Sequence, residues 1–221
     1  MTAMNVVVQR DCVHLVTDGA AVDSTERLAH LLHKVTPMPH LNAAIGVRAS
    51  ARCTASVIVD AISSGAHSCD DLSTRIVEIL RATIDPIRPI WEAKFGRSVL
   101  QADVIVAGWS ETIGPHAYIV ATGNHHGDDM PAWTVLPIGG TFLTPTNTQL
   151  ATDFSNLQLE FDDNAAVELV TRQRAIARQV STKKMPCGVG AFVQLCTVHE
   201  TGIETRILKR WPDRVGSLIA A

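Results

Sequence analysis

The sequence has few charged residues and no long apolar run. Asp, Glu, Lys and Arg make up 19% of the 221 residues, and the formal net charge is −3. This balance gives no basis for binding nucleic acid or an anionic membrane surface. No uninterrupted apolar stretch approaches the roughly 18 residues that a membrane-spanning helix needs. The low share of charge also suggests that part of the surface is covered by other subunits.

Paired cysteines, a secretory leader and recognisable metal motifs are also missing. The five cysteines are odd in number and form no CxxC pair, which is typical of reduced thiols in a cytoplasmic protein. The N-terminus lacks a basic region followed by an apolar one, so we expect no signal peptide. There is no HExxH and no zinc-like Cys/His spacing. His125 and His126, followed by Asp128-Asp129, lie in a Gly/Asn/Asp-rich turn and are interpreted as a solvated loop. We therefore expect a cytoplasmic protein with no metal and no cofactor.

What the sequence does contain is an alternation of short β-branched runs and helical patterns. The β-branched and apolar runs predict strands at 6–8, 13–16, 31–38, 41–47, 102–108, 116–122, 133–138, 190–198 and 203–208. Helical periodicity and capping residues predict helices at 50–62, from Asp70 or Asp71 with a break near Pro86 and Pro89, around 149–157, and at 165–180.

This order of elements predicts an α+β fold. The order is four strands, two helices, three strands, one or two helices, and two strands. Two antiparallel sheets between two helical layers would accommodate this order. We see no internal repeat, linker or composition shift, so residues 1–221 are expected to form a single domain.

The N-terminus carries the most distinctive chemistry. Thr2 follows Met1, and an initiator methionine before a small residue is normally removed. An N-terminal threonine can act alone, because its hydroxyl attacks a carbonyl while its own α-amine takes the proton. Such a group still needs nearby positive charge, fixed geometry and backbone N–H donors for the oxyanion.

Three further positions fit that requirement at fixed spacing. They are Asp18-Gly19 at the end of the second predicted strand, Lys34 in the third, and the glycine of Ala44-Ile45-Gly46 in the fourth. A lysine inside an apolar strand needs a partner, and Asp18 would supply it. With these residues in register, the chain resembles the Ntn-hydrolase (N-terminal nucleophile) superfamily, specifically proteasome β subunits and the bacterial peptidase HslV.

The resemblance implies a structure and an activity. The fold would be a four-layer αββα sandwich. Thr2 would be the nucleophile, Lys34 and Asp18 the pair that tunes it, and the Gly46 N–H the oxyanion donor. The substrate would be a peptide or amide, and the chain would assemble into a ring or related homo-oligomer, with an ATPase unfoldase as a possible partner.

The sequence also departs from that family in places. The family has a serine in a turn after its seventh strand, where this chain has Gly140, with Thr141 next to it. Proteasome β subunits carry an Asp and a Ser before the eighth strand, where this chain has Met185 and Gly188, with lysines at 183 and 184. HslV also lacks that Asp. A catalytically silent relative, kept as a structural or assembly subunit, is therefore the alternative hypothesis.

Overall fold

A computed structural model describes residues 2–23, 25–95, 101–127, 129–180 and 188–219. These residues form strands and helices in an α+β arrangement. The strands are β1 (Met4–Val8), β2 (Cys12–Asp18), β3 (Ala20–Val22), β4 (Leu28–Leu31), β5 (Val35–Met38), β6 (Ala43–Arg48), β7 (Asp103–Ser110), β8 (Gly114–Ala121), β9 (Leu136–Ile138), β10 (Thr141–Phe142), β11 (Phe192–His199) and β12 (Gly202–Arg210). The helices are α1 (Ala51–Ile62), α2 (Cys69–Ile84), α3 (Arg88–Phe95), α4 (Thr148–Asp153), α5 (Leu157–Glu160) and α6 (Asp163–Val180), with a 3₁₀ turn at Pro39–Leu41.

The strands form three antiparallel sheets within the described residues. The first sheet has the order β10-β1-β2-β11-β12, and the second has the order β5-β6-β7-β8-β9. Strands β3 and β4 form a separate two-stranded sheet. The first sheet joins the two ends of the chain, because β2 pairs with β11 in a register that sets Asp18 opposite Val193.

Most predicted elements are confirmed, including the hairpins β1-β2 and β11-β12 and the break between α2 and α3. Helix α1 begins after Ser50, whose side chain accepts a hydrogen bond from the Cys53 N–H, as its capping position predicts. The predicted strand over 31–38 is wrong as a single element. The structure divides it between β4 and β5, which belong to different sheets, and Lys34 lies in the connection.

Three large groups of buried apolar side chains fix how these elements pack. One group combines residues of β6, β7 and β8 with α1 and α2, and includes Val57, Leu72 and Ile76. A second combines residues of both five-stranded sheets, and includes Met4, Leu15 and Ile105. A third joins β2 and β11 to α6. Each five-stranded sheet therefore contributes apolar side chains both to the other sheet and to helices.

Two negative predictions concern membranes and disulfides. Among the residues that the structure describes, no helix is long and apolar enough to cross a membrane. Cys12, Cys53, Cys69 and Cys196 are free and buried. Cys187 lies outside the described residues.

His14 is a buried histidine in the middle of the first sheet. Its ring stacks on Phe161, with centroids 4.2 Å apart, and its two nitrogens lie 2.9 Å from Thr197 Oγ1 and 2.9 Å from Gln9 Oε1. Burial, followed by the nearby His199, lowers the pKa of His14 from the ordinary 6.5 to about 4. The folded protein therefore holds His14 neutral over a range in which the unfolded chain protonates it.

We predict that His14 makes the protein less stable below neutral pH. Because the folded pKa is depressed, its contribution is fully present above pH 6.5 and is lost as the pH falls toward 4. Between those limits the free energy of unfolding should fall by about 2–3 kcal/mol more in the wild type than in His14→Gln, which does not titrate there. Denaturant unfolding across this pH range measures the difference. Equal pH dependence in the two proteins would contradict the prediction.

We also predict that Gly108→Ala is destabilising, because β7 lies against α2 at this residue. An added Cβ would lie 2.4 Å from Cys69 Sγ and 2.8 Å from Cys69 Cβ. Relieving this overlap requires a shift of the helix, so the free energy of unfolding should fall by about 1–3 kcal/mol in denaturant titration. The control is Gly139→Ala, whose added Cβ meets nothing within 4 Å and should change stability by less than about 0.5 kcal/mol. Similar losses in both variants would show that packing against α2 is not the cause.

Candidate active site around Thr2, Asp18 and Lys34

Three of the predicted site residues meet at one end of the two large sheets. Thr2 precedes β1, Asp18 ends β2, and Lys34 immediately precedes β5. Antiparallel pairing of β1 with β2, in which Met4 lies opposite Thr17, brings the start of one strand beside the end of the other. The break between β4 and β5 then places Lys34 where the two five-stranded sheets approach each other.

The Lys34 ammonium lies between the other two side chains. Lys34 Nζ donates to Asp18 Oδ1 at 2.7 Å and to Thr2 Oγ1 at 2.9 Å. Lys34 is 5% exposed, Asp18 is fully buried, and Thr2 is partly exposed. A cation that donates to a hydroxyl oxygen favours the deprotonated form of that oxygen. The arrangement can therefore make Thr2 a better nucleophile while leaving it accessible.

The Asp18 carboxylate is held by the backbone as well as by Lys34. It accepts hydrogen bonds from the N–H groups of Ala3, Ala20 and Gly190, each at 3.0 Å. These donors belong to three separate chain segments, so the carboxylate fixes their relative positions. Four donors also compensate for the burial of its negative charge.

Gln194 positions the backbone of Lys34. It lies on β11, is 1% exposed, and its Oε1 accepts from the Lys34 N–H at 3.2 Å. Its Nε2 donates to the Val35 carbonyl at 3.3 Å. Gln194 was not predicted as a site residue, although a lone glutamine inside an apolar strand pattern indicates a buried polar contact.

Gly46 lies within β6 and is paired on both sides, with Val35 and with Ile105. A Cβ at this position would lie 2.9 Å from the Met4 sulfur and 3.8 Å from the Lys34 carbonyl oxygen. The glycine thus allows the first strand to pack closely over β6. Arg48, two residues later, ends β6 and has a strand partner, Asp103, in β7.

The turn at Gly139-Gly140 is not beside Thr2. The Val8 N–H donates to the Gly140 carbonyl at 2.8 Å, and Thr141 is paired with Val7. Since a strand rises about 3.3 Å per residue, Thr141 lies about 16 Å along β1 from Thr2. Thr141 therefore does not replace the expected serine, because the chain crosses to the first sheet before it reaches the site.

The segment beside the N-terminus is instead the one at Thr144 and Pro145. The Met4 N–H donates to the Thr144 carbonyl at 2.8 Å, and the Thr144 N–H donates to Asn5 Oδ1 at 3.2 Å. Asn5 and Gln173 are both fully buried and exchange two amide hydrogen bonds, at 2.9 and 2.6 Å. Gln173 therefore ties α6 to the first strand.

The other positions at which the sequence departs from the resembled family lie before β11. A Cβ at Gly188 would lie 2.5 Å from a Val22 methyl carbon and 2.9 Å from Ile219, so close apolar packing favours a glycine there. Met185 and the lysines at 183 and 184 lie outside the described residues.

A second polar cluster lies at the ends of β6 and β7 and was not predicted. Asp103 is fully buried and contacts the Arg48 guanidinium, His125 Nε2 at 2.6 Å and His126 Nε2 at 3.0 Å. The two histidines are 16% and 17% exposed, so their interpretation as a solvated loop is wrong. Burial alone would raise the pKa of Asp103, but hydrogen bonds from both histidines and the Arg48 charge hold that pKa well below its usual range.

We predict that removal of the Asp18 carboxylate is strongly destabilising. Asp18→Ala leaves the Lys34 ammonium buried without its carboxylate and leaves three N–H groups without their acceptor. The free energy of unfolding should fall by about 3–5 kcal/mol. The control is Asp153→Ala, which breaks a more exposed pair with Arg172 and should cost less than about 1 kcal/mol. Denaturant titration of both variants provides the test, and equal losses would contradict it.

Comparison with known proteins identifies the fold but not a family. No family model and no curated protein matches the sequence. The chain is similar in structure to Anbu (ancestral beta-subunit) from Yersinia bercovieri, with a TM-score of 0.65 and 8% identity, over 96% of this chain and 88% of that one. It is also similar to an Anbu (Gly-1) mutant from Hyphomicrobium sp. strain MC1, with a TM-score of 0.65 and 10% identity, over 97% and 89%.

These structures correct the resemblance drawn from the sequence. The expected similarity to proteasome β subunits and HslV is replaced by similarity to Anbu proteins, which are proteasome-like but distinct from HslV. At 8% and 10% identity the likeness concerns the fold alone. The chain has an α+β, proteasome-like fold of the kind found in Anbu.

Proposed function

We propose that this protein is a threonine-type N-terminal-nucleophile hydrolase that cleaves a peptide or amide bond through Thr2. The observation that carries the proposal is the position of the Lys34 ammonium, 2.9 Å from Thr2 Oγ1 and 2.7 Å from Asp18 Oδ1. A buried cation shared between a carboxylate and a partly exposed hydroxyl is a means of activating that hydroxyl.

In the proposed reaction, removal of Met1 leaves Thr2 with a free α-amine. The amine takes the Thr2 hydroxyl proton as Oγ1 attacks the substrate carbonyl carbon, which forms a tetrahedral intermediate. The amine then returns the proton to the leaving nitrogen, and an acyl ester remains on Oγ1. Water, deprotonated by the same amine, attacks the ester carbonyl carbon. The bond from that carbon to Oγ1 breaks, the acid product leaves, and the amine returns the proton to Oγ1. Lys34 stays charged throughout, and its charge keeps the neighbouring amine neutral.

A backbone N–H at the end of β6 is the proposed oxyanion donor. Gly46 is the residue proposed from the sequence, and its lack of a Cβ permits the close approach of Met4. Because Gly46 has strand partners on both sides, we extend the proposed donor region from Gly46 to Arg48, where the strand ends.

The alternative is a catalytically silent subunit with a structural or assembly role. It is favoured by Gly188, which apolar side chains surround at a position where the sequence analysis expected a serine. In this case the Lys34–Asp18 pair would serve stability alone. The two candidates share the ion pair and differ in whether Thr2 reacts.

We further propose that residues 1–221 form a single domain in a four-layer αββα arrangement, and that this domain self-associates in the cytoplasm. Self-association is supported by the structural similarity to Anbu, an ancestral beta-subunit. An ATPase unfoldase as partner follows only from the sequence resemblance.

The decisive experiment combines intact mass with a threonine-directed covalent inhibitor. We expect purified protein to lack Met1 and to gain one inhibitor mass on Thr2, and Thr2→Ala to gain none. Peptide or amide hydrolysis should fall by a factor of about 10³ or more in Thr2→Ala. The control is Thr152→Ala, at an exposed position on α4, which should keep both the adduct and the activity.

Two results would favour the alternative. Retention of Met1 would block the amine, and no free nucleophile would exist. Hydrolysis that survives Thr2→Ala unchanged would show that Thr2 is not the nucleophile.

A further inference from the structure

We propose that Asp103, His125 and His126 form a binding site for a divalent transition-metal ion of the zinc class. Its ligands are not among the side chains proposed to act with Thr2, and metal binding does not depend on that chemistry. Two imidazoles and one carboxylate are ligand types that Zn²⁺ prefers, and three protein ligands leave a fourth position open to solvent.

The three side chains already converge on a common point. Their ligand atoms all lie within 4.8 Å of one another, and each histidine Nε2 faces a different oxygen of Asp103, at 2.6 and 3.0 Å. Around a tetrahedral zinc ion with bonds of about 2.1 Å, ligand atoms lie about 3.4 Å apart. Changes of about 1.4 Å or less in the distances between ligand atoms would therefore convert this hydrogen-bonded cluster into a coordination sphere.

Asp103 is held in place by the second five-stranded sheet, and the two histidines are turned toward it. Asp103 is the first residue of β7, fully buried and paired with Arg48 in the sheet. The two histidines follow β8 in a turn, and their rings lie with centroids 4.5 Å apart. Adjacent histidines in a polar turn would normally face water, yet both are turned inward onto the one carboxylate.

In the absence of metal, Nε2 of His125 carries a proton, because the Asp103 carboxylate can only accept a hydrogen bond from it. Its Nδ1 is buried, and no hydrogen-bond partner for it occurs among the described residues. Metal binding would move the proton from Nε2 to Nδ1 and free the Nε2 lone pair that faces Asp103. The Nδ1–H would then need a water molecule or another acceptor as its partner.

Arg48 is the group that competes with a metal ion. Its Nη2 contacts Asp103 and lies 3.2 Å from His126 Nε2, so its charge occupies the place that a cation would take. Its Nη1 also donates to Thr144 Oγ1 at 3.0 Å. This second partner lets the guanidinium remain bound as it moves away from Asp103. In this arrangement Arg48 neutralises Asp103 in the absence of metal and lowers the affinity of the site for it.

The first test is a Zn²⁺ titration of the chelator-treated full chain against a chromogenic competitor. We expect one ion per chain, with affinity lowered by about 100-fold in His125→Ala and in His126→Ala. The control is His30→Ala, at an exposed position in β4, which should bind as the wild type does. Equal binding in all of these proteins, or no binding in the wild type, would overturn the proposal.

Cysteine ligation is distinguished by replacing Zn²⁺ with Co²⁺. The proposed site has nitrogen and oxygen ligands, so its cobalt spectrum should show d–d bands without a thiolate charge-transfer band. A thiolate band that persists in both histidine variants would place the ion on cysteine and overturn the assignment.

The Arg48→Gln variant tests the proposed metal site through a gain in Zn²⁺ affinity. Removal of the competing cation should raise Zn²⁺ affinity by about tenfold or more. The melting temperature of Arg48→Gln should be lowered in chelator, where Asp103 lacks its cation, and restored by Zn²⁺. A melting temperature that Zn²⁺ leaves unchanged would show that no metal takes the place of the guanidinium.

Discussion

The buried pair of Asp18 and Lys34 is the interaction on which the rest of the site depends. A carboxylate with no exposure and an ammonium that is 5% exposed require compensation, and the fold supplies it from several segments. Ala3, Ala20 and Gly190 donate to the carboxylate, and Gln194 holds the lysine backbone. The same pair sets the position of the Thr2 hydroxyl, so stability and the proposed chemistry share one set of contacts.

The sequence predicted those parts of the fold that local pattern determines. The first hairpin, the closing hairpin and helix α1 with its Ser50 cap follow from β-branched runs, turn residues and helical spacing. The sequence also singled out Thr2, Asp18 and Lys34, and the structure places Lys34 Nζ within hydrogen-bonding distance of the other two side chains. It did not predict the division of the strand over 31–38, because apolar periodicity continues across the break and only tertiary pairing assigns its halves to different sheets.

What the sequence did not predict depends on contacts between distant segments. Gln194 and Gln173 are single amides inside helical or strand patterns, and their partners lie on other elements. The His125 and His126 turn has the composition of a solvated loop, yet it folds onto Asp103 of another strand. The turn at Gly140 was assigned to the site because a β-strand of two residues, β10, carries no readable pattern.

The pairing of β2 with β11 has a consequence for the order of assembly during synthesis. Gly190 reaches Asp18 across 172 residues of sequence, and Gln194 reaches Lys34 across 160. Contacts between residues so far apart in the sequence form late, because the chain that separates the two residues must first be ordered. A nascent chain in which the segment from Gly190 to the end of β11 has not yet been synthesised lacks Gly190 and Gln194, which hold Asp18 and Lys34. The site is therefore completed only after β11 has been synthesised, and a chain truncated before Gly190 would carry Thr2 without two of the contacts that hold Asp18 and Lys34.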